Sequence, residues 1–340
     1  MKIKYKDAKY LCKYDLNVEF FENLNLNIKD LWPTRNIYVL DTEEGKKILK
    51  MINYNKEKIN YIVKMLNYVS KSYKNIISYH KFEDGNYFVD WKNNRYIILD
   101  LIEGIECNIY NPRDISKVTK ALALLHKSSR GISSELSTME RKNSSLGNLE
   151  KDFIGEKENI YYYKSIVEKR NIKNEFDNIF LENFDYYIER INRAIELLKN
   201  SNYKELCDRE EAISLCHNDL AYHNILINEE EVYFIDFDFC DVNLKVLDLY
   251  SFLSKVLKRN GFDYDSYIDI VGIYKKNIEF SNEEEEILKI LLTYPRDFTN
   301  IVNNYYGSKK DWSYESYLNK FKEKIAYAKE NEILLKKIMS

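Results

Sequence analysis

Hydrophobic residues in the first hundred positions recur at two spacings, which predict strands and one helix. The apolar runs Asn36–Leu40 and Lys46–Ile52 are joined by a polar segment that ends at Gly45, and they predict a β-hairpin. From Lys56 to Tyr73 the apolar positions fall on one helical face, which predicts a helix packed on the sheet. These positions are Ile59, Ile62, Val63, Leu66 and Val69.

Two further strands are predicted over Asn86–Asp90 and Arg95–Leu101. Lys92–Asn94 lies between them and predicts a turn, where asparagine tolerates a positive φ. With the hairpin and the helix, these strands predict a small antiparallel sheet covered by one helix.

Beyond Ile102 the pattern becomes helical. Asn111 followed by Pro112 predicts a helix start, and an apolar stripe continues from there to His126. Helical spacing returns over Phe176–Lys199.

Two other segments qualify this pattern. Arg130–Asn159 is polar and rich in Ser, Lys and Glu, so it predicts a mobile excursion or substrate loop. Asp248 is predicted to cap a further helix. The change of pattern near residue 102 predicts an α+β chain in two parts, residues 1–102 and residues 103–340.

Composition narrows the class of protein. At 340 residues, with 45% hydrophobic and 31% charged residues, the chain can bury a large core. Its net charge of −3 gives no basic field, so nucleic acid is not an expected partner. No apolar run reaches the length of a membrane span or a signal-peptide core, so we expect synthesis in the cytoplasm and no membrane partner. The cysteines lack metal-ligand spacing and are predicted to be reduced and mostly buried: Cys12, Cys107, Cys207, Cys216 and Cys240.

The segment His217–Asn224 and the strand after it have the spacing of a phosphoryl-transfer site. Transfer from ATP to a hydroxyl needs a carboxylate that orients the acceptor and oxygen ligands for magnesium. In the pattern His-x-Asp-x-x-x-x-Asn, Asp219 would face the acceptor and Asn224 would turn to the metal. Asp236 ends a short apolar strand and is the second candidate metal ligand. A polar turn between two strands is the alternative interpretation, but it leaves the order of these residues unexplained.

This constellation predicts a two-lobed protein kinase-like fold that uses ATP and Mg²⁺. Residues 1–102 would form the N-terminal nucleotide-binding lobe, and residues 103–340 the C-terminal catalytic and substrate-binding lobe.

The nucleotide side is less complete. Lys50 is the candidate lysine of the third strand that would reach the phosphates, although an exposed strand lysine is the alternative. Its usual helix partner is a glutamate, and the predicted helix offers only Glu57 at its start, where interaction with the helix N-terminus explains it equally well. Residues 26–37 contain no glycine, so no Gly-rich phosphate loop precedes the hairpin. Asp100 and Ile102 lie in the predicted hinge, whose backbone groups could bind adenine.

Several segments together resemble the CotS family of bacterial spore-coat proteins, which belongs to the aminoglycoside-phosphotransferase-like branch of the kinase fold. The likeness spans nearly the whole chain and extends well beyond the kinase motif. It is carried by Gly45–Lys50, Leu101–Cys107, Cys216–Asn224, Ile235–Cys240, Tyr294–Phe298, Asn304–Tyr306 and Trp312.

The resemblance implies roles for individual residues. Asp219 would be the catalytic base, Asn224 and Asp236 the magnesium ligands, and Lys50 the phosphate-binding lysine. The resemblance also implies structural roles for His217, which would brace the catalytic loop, and for Asp248, which would hold that loop from the following helix.

The resemblance further implies a spore-forming, clostridial source and a place in the spore coat, with other coat proteins as partners. Three functions remain open at this point. The first is a kinase acting on a hydroxyl of a small molecule or saccharide. The second is a catalytically weak or inactive coat component that keeps the kinase fold as a scaffold. The third, a kinase of coat proteins, is disfavoured because no Ala-Pro-Glu segment follows Asp236.

Overall fold

The computed structural model describes residues 16–34 and 37–339. The chain divides into two compact units. The first comprises the described residues up to Cys107 together with Tyr222–Asp238, and the second comprises Asn108–Ala221 and the described residues from Phe239 onward. The start of the chain and Asn36, at the beginning of the predicted first strand, lie outside the described residues.

The first unit is built on an antiparallel sheet of five described strands in the order β1-β2-β3-β5-β4. β2 and β3 form the predicted hairpin, and Gly45 at its turn has a φ of +106°, which favours glycine. The strands are β1 (Ile28–Thr34), β2 (Ile37–Thr42), β3 (Gly45–Ile52), β4 (Val89–Trp91) and β5 (Asn94–Asp100).

Two helices of this unit are described, one more than the sequence predicted. α1 (Val18–Glu22) buries Phe20 and Phe21 in the sheet's core. α2 (Lys56–Val69) begins at the cap Asn55 and buries all five predicted apolar positions, but it ends four residues before Tyr73. In the turn between β4 and β5, the residue with positive φ is Lys92 (53°) and not an asparagine.

A second small sheet in the first unit carries the later part of the motif. It has the order β6-β8-β9, with β6 (Ile105–Glu106), β8 (Ile225–Asn228) and β9 (Glu231–Phe234). The hydroxyl of Tyr73 donates to the carbonyl of Val232 at 3.0 Å, and Ile76 forms a parallel bridge to Phe234. The segment that follows α2 thus fixes β9 and the residues after it.

The second unit is mainly helical, with one two-stranded sheet made of β7 (Ile213–Cys216) and β10 (Asp241–Leu244). The predicted helices are present, and the first has Asn111 as its cap and Pro112 in its first turn. The described helices are α3 (Pro112–Ser128), α4 (Thr138–Asn143), α5 (Leu149–Glu168), α6 (Glu175–Asn200), α7 (Tyr203–Leu206), α8 (Val246–Arg259), α9 (Tyr264–Asn277), α10 (Asn282–Thr293), α11 (Arg296–Tyr306), α12 (Tyr314–Ala326) and α13 (Ala328–Met339).

Two sequence predictions in this unit are wrong. Arg130–Asn159 is not an irregular excursion, because it contains α4 and the first half of α5. Asp248 is not a helix cap: α8 begins at Val246, and Asp248 lies in its first turn with a fully buried side chain. A buried carboxylate needs hydrogen-bond donors, and those donors come from the loop described below.

Aromatic stacking packs α5 against Tyr294, which lies between α10 and α11, and packs α11 against α6. Phe153 stacks on Tyr294 with ring centroids 3.7 Å apart, and Phe298 stacks on Tyr187 at 4.0 Å. This core fixes the start of α11. Of the cysteines, Cys107, Cys216 and Cys240 are buried and Cys207 is partly exposed, all four with free thiols, whereas Cys12 lies outside the described residues. Among the described helices, none combines the length and apolarity needed to cross a membrane.

Two glycines give opposite expectations for the same substitution. A Cβ at Gly307, just after α11, would lie 2.6 Å from the carbonyl oxygen of Asn303, so we expect Gly307→Ala to lower the free energy of unfolding by about 1–3 kcal/mol. Gly272, inside α9, has no atom within 4 Å of such a Cβ. Gly272→Ala should raise the free energy of unfolding by about 0.5–1 kcal/mol. Urea denaturation of both variants measures the two signs, and stabilisation by Gly307→Ala would contradict the packing described here.

Candidate active site

The loop that carries Asp219 leaves the buried strand β7 and is held by Asp248. The backbone N–H groups of His217 and Asn218 donate to the two carboxylate oxygens of Asp248, at 2.5 and 2.9 Å. Asn218 has a φ of 65°, a left-handed conformation that asparagine tolerates better than most residues. The amide of Asn218 also donates to the carbonyl of Phe239 at 2.9 Å. These contacts fix the loop backbone on either side of Asn218.

Behind Asp248 lies a second layer of buried polar groups. His126 Nε2 is 3.4 Å from Asp248, and Nδ1 is 2.6 Å from the hydroxyl of Tyr274. Burial lowers the pKa of His126 more than Asp248 raises it, so the imidazole is neutral. The Tyr274 hydroxyl then donates to Nδ1, and Nε2–H donates to Asp248.

The ionised state of Asp248 follows from its donors. Burial alone would raise the pKa of its carboxyl, but the hydrogen bond from His126 and the backbone N–H of His217 outweigh burial and hold that pKa below its usual range. The expected roles of His217 and Asp248 agree with these contacts. His217 Nδ1 accepts the backbone N–H of Asp219 at 3.2 Å, and Asp248 holds the loop from α8.

Asp219 itself lies near one cation of α8. The Nζ atom of Lys255 is 3.9 Å from an oxygen of Asp219, whose side chain is 41% exposed. Burial lowers the pKa of Lys255, and Asp219 opposes this shift. The spacing of the motif gives no indication of Lys255, which lies on α8, 36 residues after Asp219.

In the first unit, a backbone hydrogen bond links the candidate metal ligand Asn224 to the residue before the other candidate, Asp236. The carbonyl of Asn224 accepts the N–H of Ile235 at 3.0 Å, so Asn224 lies beside the residue that precedes Asp236. Asn224 immediately precedes β8 and is buried, while Asp236 follows β9 with a φ of 68°.

Lys50 lies between two carboxylates of the same unit. Its Nζ atom is 2.6 Å from Asp236 and 2.7 Å from Asp238, and the hydroxyl of Tyr54 donates to the other oxygen of Asp238 at 3.0 Å. Burial would lower the pKa of Lys50, but Asp238 and Asp236 outweigh burial and raise it. The sequence pointed to Glu57 as the only acidic helix partner. The structure gives Lys50 two aspartates instead.

Asp238 and Tyr54 were therefore missed. The signal for Asp238 was present in the sequence, because an aspartate follows Phe237 where kinases carry glycine. Tyr54 gave no signal, since it lies 184 residues from its partner.

The hinge candidates lie at the end of β5. The backbone N–H of Asp100 donates to the carbonyl of Ser78 at 3.3 Å, and its carboxylate accepts from Lys47 at 2.9 Å and from the Ser78 hydroxyl. The backbone N–H of Leu101 donates to the backbone carbonyl of Lys46 at 3.0 Å. A nucleotide would thus have to use the carbonyl of Asp100 and the backbone of Ile102.

The donor set fits magnesium that is shared with a nucleotide. Asn224 and Asp236 offer amide and carboxylate oxygens, which Mg²⁺ prefers, and protein Mg²⁺ sites commonly use one or two such ligands with phosphate oxygens. Within the part of the chain that the structure describes, no group of three or more His, Cys, Asp or Glu side chains could hold a metal ion by itself.

The neutral state of His126 predicts a pH dependence of stability. Its native pKa is depressed, so below pH ~6.5 the unfolded chain binds a proton that the native protein does not, and stability is lost as pH falls. We expect the free energy of unfolding to fall by up to about 1.4 kcal/mol per pH unit from this group. Lys245, a buried cation near His126, acts in the same direction.

Urea denaturation at pH 7.5 and pH 5.5 measures this effect. His126→Gln should weaken the pH dependence, whereas His223→Gln, a substitution at an exposed position, should leave it unchanged. Equal pH dependence in wild type and His126→Gln would show that His126 does not carry the effect.

Comparison with known proteins agrees with this geometry. The family model described as "Spore coat putative kinase YutH" matches residues 19–338. Spore coat protein S of Bacillus subtilis (strain 168) is 24% identical over 293 residues, covering 83% of this chain and 81% of that protein.

Solved structures show the fold. An aminoglycoside phosphotransferase from Alicyclobacillus acidocaldarius superposes with a TM-score of 0.81 at 15% identity, covering 94% of each chain. A spectinomycin phosphotransferase, solved in complex with ADP and spectinomycin, gives a TM-score of 0.66 at 18% identity over 92% of this chain and 97% of its own. These findings confirm the predicted kinase-like fold and the resemblance to spore-coat proteins.

Proposed function

Because the chain belongs to the spore coat putative kinase YutH family, we propose that it is an ATP- and Mg²⁺-dependent phosphotransferase acting on a hydroxyl of a small molecule or saccharide. The observation that carries this proposal is the position of Lys50 against Asp236. Lys50 Nζ lies 2.6 Å from the carboxylate of Asp236, 186 residues later, so the candidate phosphate-binding lysine and a candidate metal ligand lie together.

Lys50, Asn224 and Asp236 would bind the phosphate end of the nucleotide. Magnesium, when bound, neutralises charge on the phosphates, and Asn224 and Asp236 would hold it with their oxygens. Lys50 would exchange a carboxylate for phosphate oxygens. The Asp100 carbonyl and the backbone of Ile102 would bind adenine at the end of β5.

Asp219 would act on the acceptor. Its carboxylate accepts the proton of the acceptor hydroxyl as the hydroxyl oxygen bonds to the γ-phosphorus, while the bond from that phosphorus to the bridging oxygen breaks and ADP leaves. The hydrogen bonds that the loop N–H groups donate to Asp248 would keep Asp219 in position, so little reorganisation would be needed when the acceptor binds.

Asp238 would take the place of the helix glutamate found in other kinases. It neutralises and orients Lys50 from the segment that also carries Asp236, and Tyr54 fixes its second oxygen. The lack of an acidic residue in the middle of α2 therefore does not leave Lys50 without a partner.

The relatives support the proposed class of reaction and location. Spectinomycin phosphotransferase was solved with ADP, and spore coat protein S is named for the spore coat. We take the spore coat as the location of this chain, with other coat proteins as its partners.

A scaffold without catalysis is the second candidate. It is favoured by one observation, the absence of glycine from residues 26–37, where a flexible phosphate loop would be expected. Binding and turnover measurements separate the two candidates.

The first test is calorimetric titration with ATP in the presence and absence of Mg²⁺. Wild type should bind ATP with magnesium dependence, and Asp236→Asn should weaken this binding about 10–100-fold because a metal ligand loses its charge. Asp185→Asn, at a side chain that is 97% exposed, is the matched control. No ATP binding by folded wild type would favour the scaffold.

The second test uses Asp219→Asn in an ADP-release assay with a panel of hydroxyl compounds. Loss of the base should lower kcat about 10²–10⁴-fold while ATP affinity stays unchanged. Turnover equal to that of Asp185→Asn would rule out Asp219 as the base.

A further inference from the structure

A cavity of about 470 Å³ lies beside the loop of Asp219, within the second unit. Asn218, the residue before Asp219, lines it, and so does Lys255, whose Nζ atom is 3.9 Å from the Asp219 carboxylate. A molecule in this cavity therefore lies beside two residues that adjoin the proposed base: Asn218 in sequence and Lys255 in space. Its volume lies in the range of small-molecule sites.

The wall of the cavity carries three cations, Lys255, Lys258 and Arg296, which differ in their contacts with carboxylates. Lys258 is already paired with Asp297 at 2.7 Å, and Lys324 lies 3.2 Å from the same carboxylate. Burial would raise the pKa of Asp297, but these two lysines outweigh burial and lower this pKa to about 2. Asp297 is thus ionised and neutralised within the protein.

Lys255 and Arg296 differ from Lys258. Among the residues that the structure describes, the one carboxylate within 4 Å of the Lys255 Nζ atom is Asp219, at 3.9 Å. Arg296, at the start of α11, has no carboxylate within 4 Å among the described residues, and it lines the same cavity. Burial would lower the pKa of Arg296, but groups that include Glu156 and Asp152, the other carboxylate of the wall, outweigh burial and raise it. The wall thus holds three cations and two carboxylates. The cavity therefore presents positive charge that the protein does not fully pair.

The rest of the wall combines polar groups with Leu149, Leu247 and Leu291. The amide of Asn243 donates to the hydroxyl of Ser145 at 2.9 Å, and that hydroxyl donates to Asp241 at 2.6 Å. Such amide and hydroxyl groups suit a ligand with several hydroxyls. Further polar groups in the wall come from Tyr250, Ser251, Ser254 and Asn300.

We infer that this cavity binds the acceptor and that the acceptor is a saccharide or polyol bearing an anionic group, carboxylate or phosphate ester, held by Lys255 and Arg296. The inference rests on the proposed function, because it places the acceptor hydroxyl at Asp219. Arginine matches the planar oxygen pair of a carboxylate and the oxygens of a phosphate. An amino sugar would instead meet uncompensated like charge.

The test is ligand-observed NMR without nucleotide, using sugars that share one ring. The probes are D-glucuronate, D-glucose 6-phosphate, D-glucose and D-glucosamine. At least one of the two anionic sugars should bind at least about tenfold more tightly than glucose and glucosamine, as expected for hydrogen bonds to charged groups. The difference in affinity between the two anionic sugars shows whether the cavity prefers a carboxylate or a phosphate ester.

Variants connect the effect to the cavity. Lys255→Gln and Arg296→Gln should each reduce the affinity for the anionic sugar about tenfold and leave that for glucose unchanged. Lys336→Gln, whose side chain is 76% exposed, is the matched control. Thermal unfolding checks that each variant is folded, and Arg296→Lys replaces Arg296→Gln if the latter is not. Equal affinity for all four sugars, or no effect of either variant, would overturn the inference.

The outcomes separate this inference from the proposed function. Anionic-sugar binding without magnesium-dependent ATP binding would refute the phosphotransferase and support the anion site. Faster ATP turnover with glucosamine or glucose than with either anionic sugar would support the phosphotransferase and overturn the anion site. A preference for glucosamine would direct attention to the neighbouring acidic cavity on α5, which Glu150, Glu156 and Glu158 line.

Discussion

The buried carboxylate of Asp248 is the constraint on which the path of the Asp219 loop depends. A fully buried charge is tolerated only when donors surround it, and here two of the donors are backbone N–H groups of the loop itself. The loop cannot change its path without leaving that charge unsatisfied. His126 and Tyr274 complete the network from α3 and α9. The position of Asp219 is therefore a consequence of core electrostatics more than of the loop's own sequence.

Lys50 shows the same principle in the first unit, with a different consequence. Its two aspartates satisfy the ammonium group within the protein, so a nucleotide gains only the difference between phosphate and carboxylate contacts. In the proposed function, Asp238 would stay bound to Lys50 when Asp236 holds a metal. A lysine with two acidic neighbours thus remains oriented when one of them changes partner. In other kinases, a single helix glutamate orients the lysine.

Local patterns were enough to predict α3, α6 and the β2–β3 hairpin, because their caps, turns and periodicity lie within each segment. α5 was missed because its buried positions, such as Phe153, Ile160 and Val167, form a narrow stripe in an otherwise polar stretch. β1 was missed because Trp32-Pro33 lies within it, and proline is uncommon inside strands. The candidate residues of the motif could be named from spacing, whereas the partners of Lys50 and Asp219 depend on tertiary contacts that no local pattern encodes.

The two kinds of site residue also differ in how freely they can change. The groups that hold Asp219 lie in the core, where a substitution disturbs packing and buried charge together. The residues that line the neighbouring cavity come from separate segments, among them the residues before α5, β10, α8 and α11. Apart from Asn218, these residues lie outside the loop. The fold that this chain shares at 15% identity with an aminoglycoside phosphotransferase therefore does not determine which acceptor the cavity would bind.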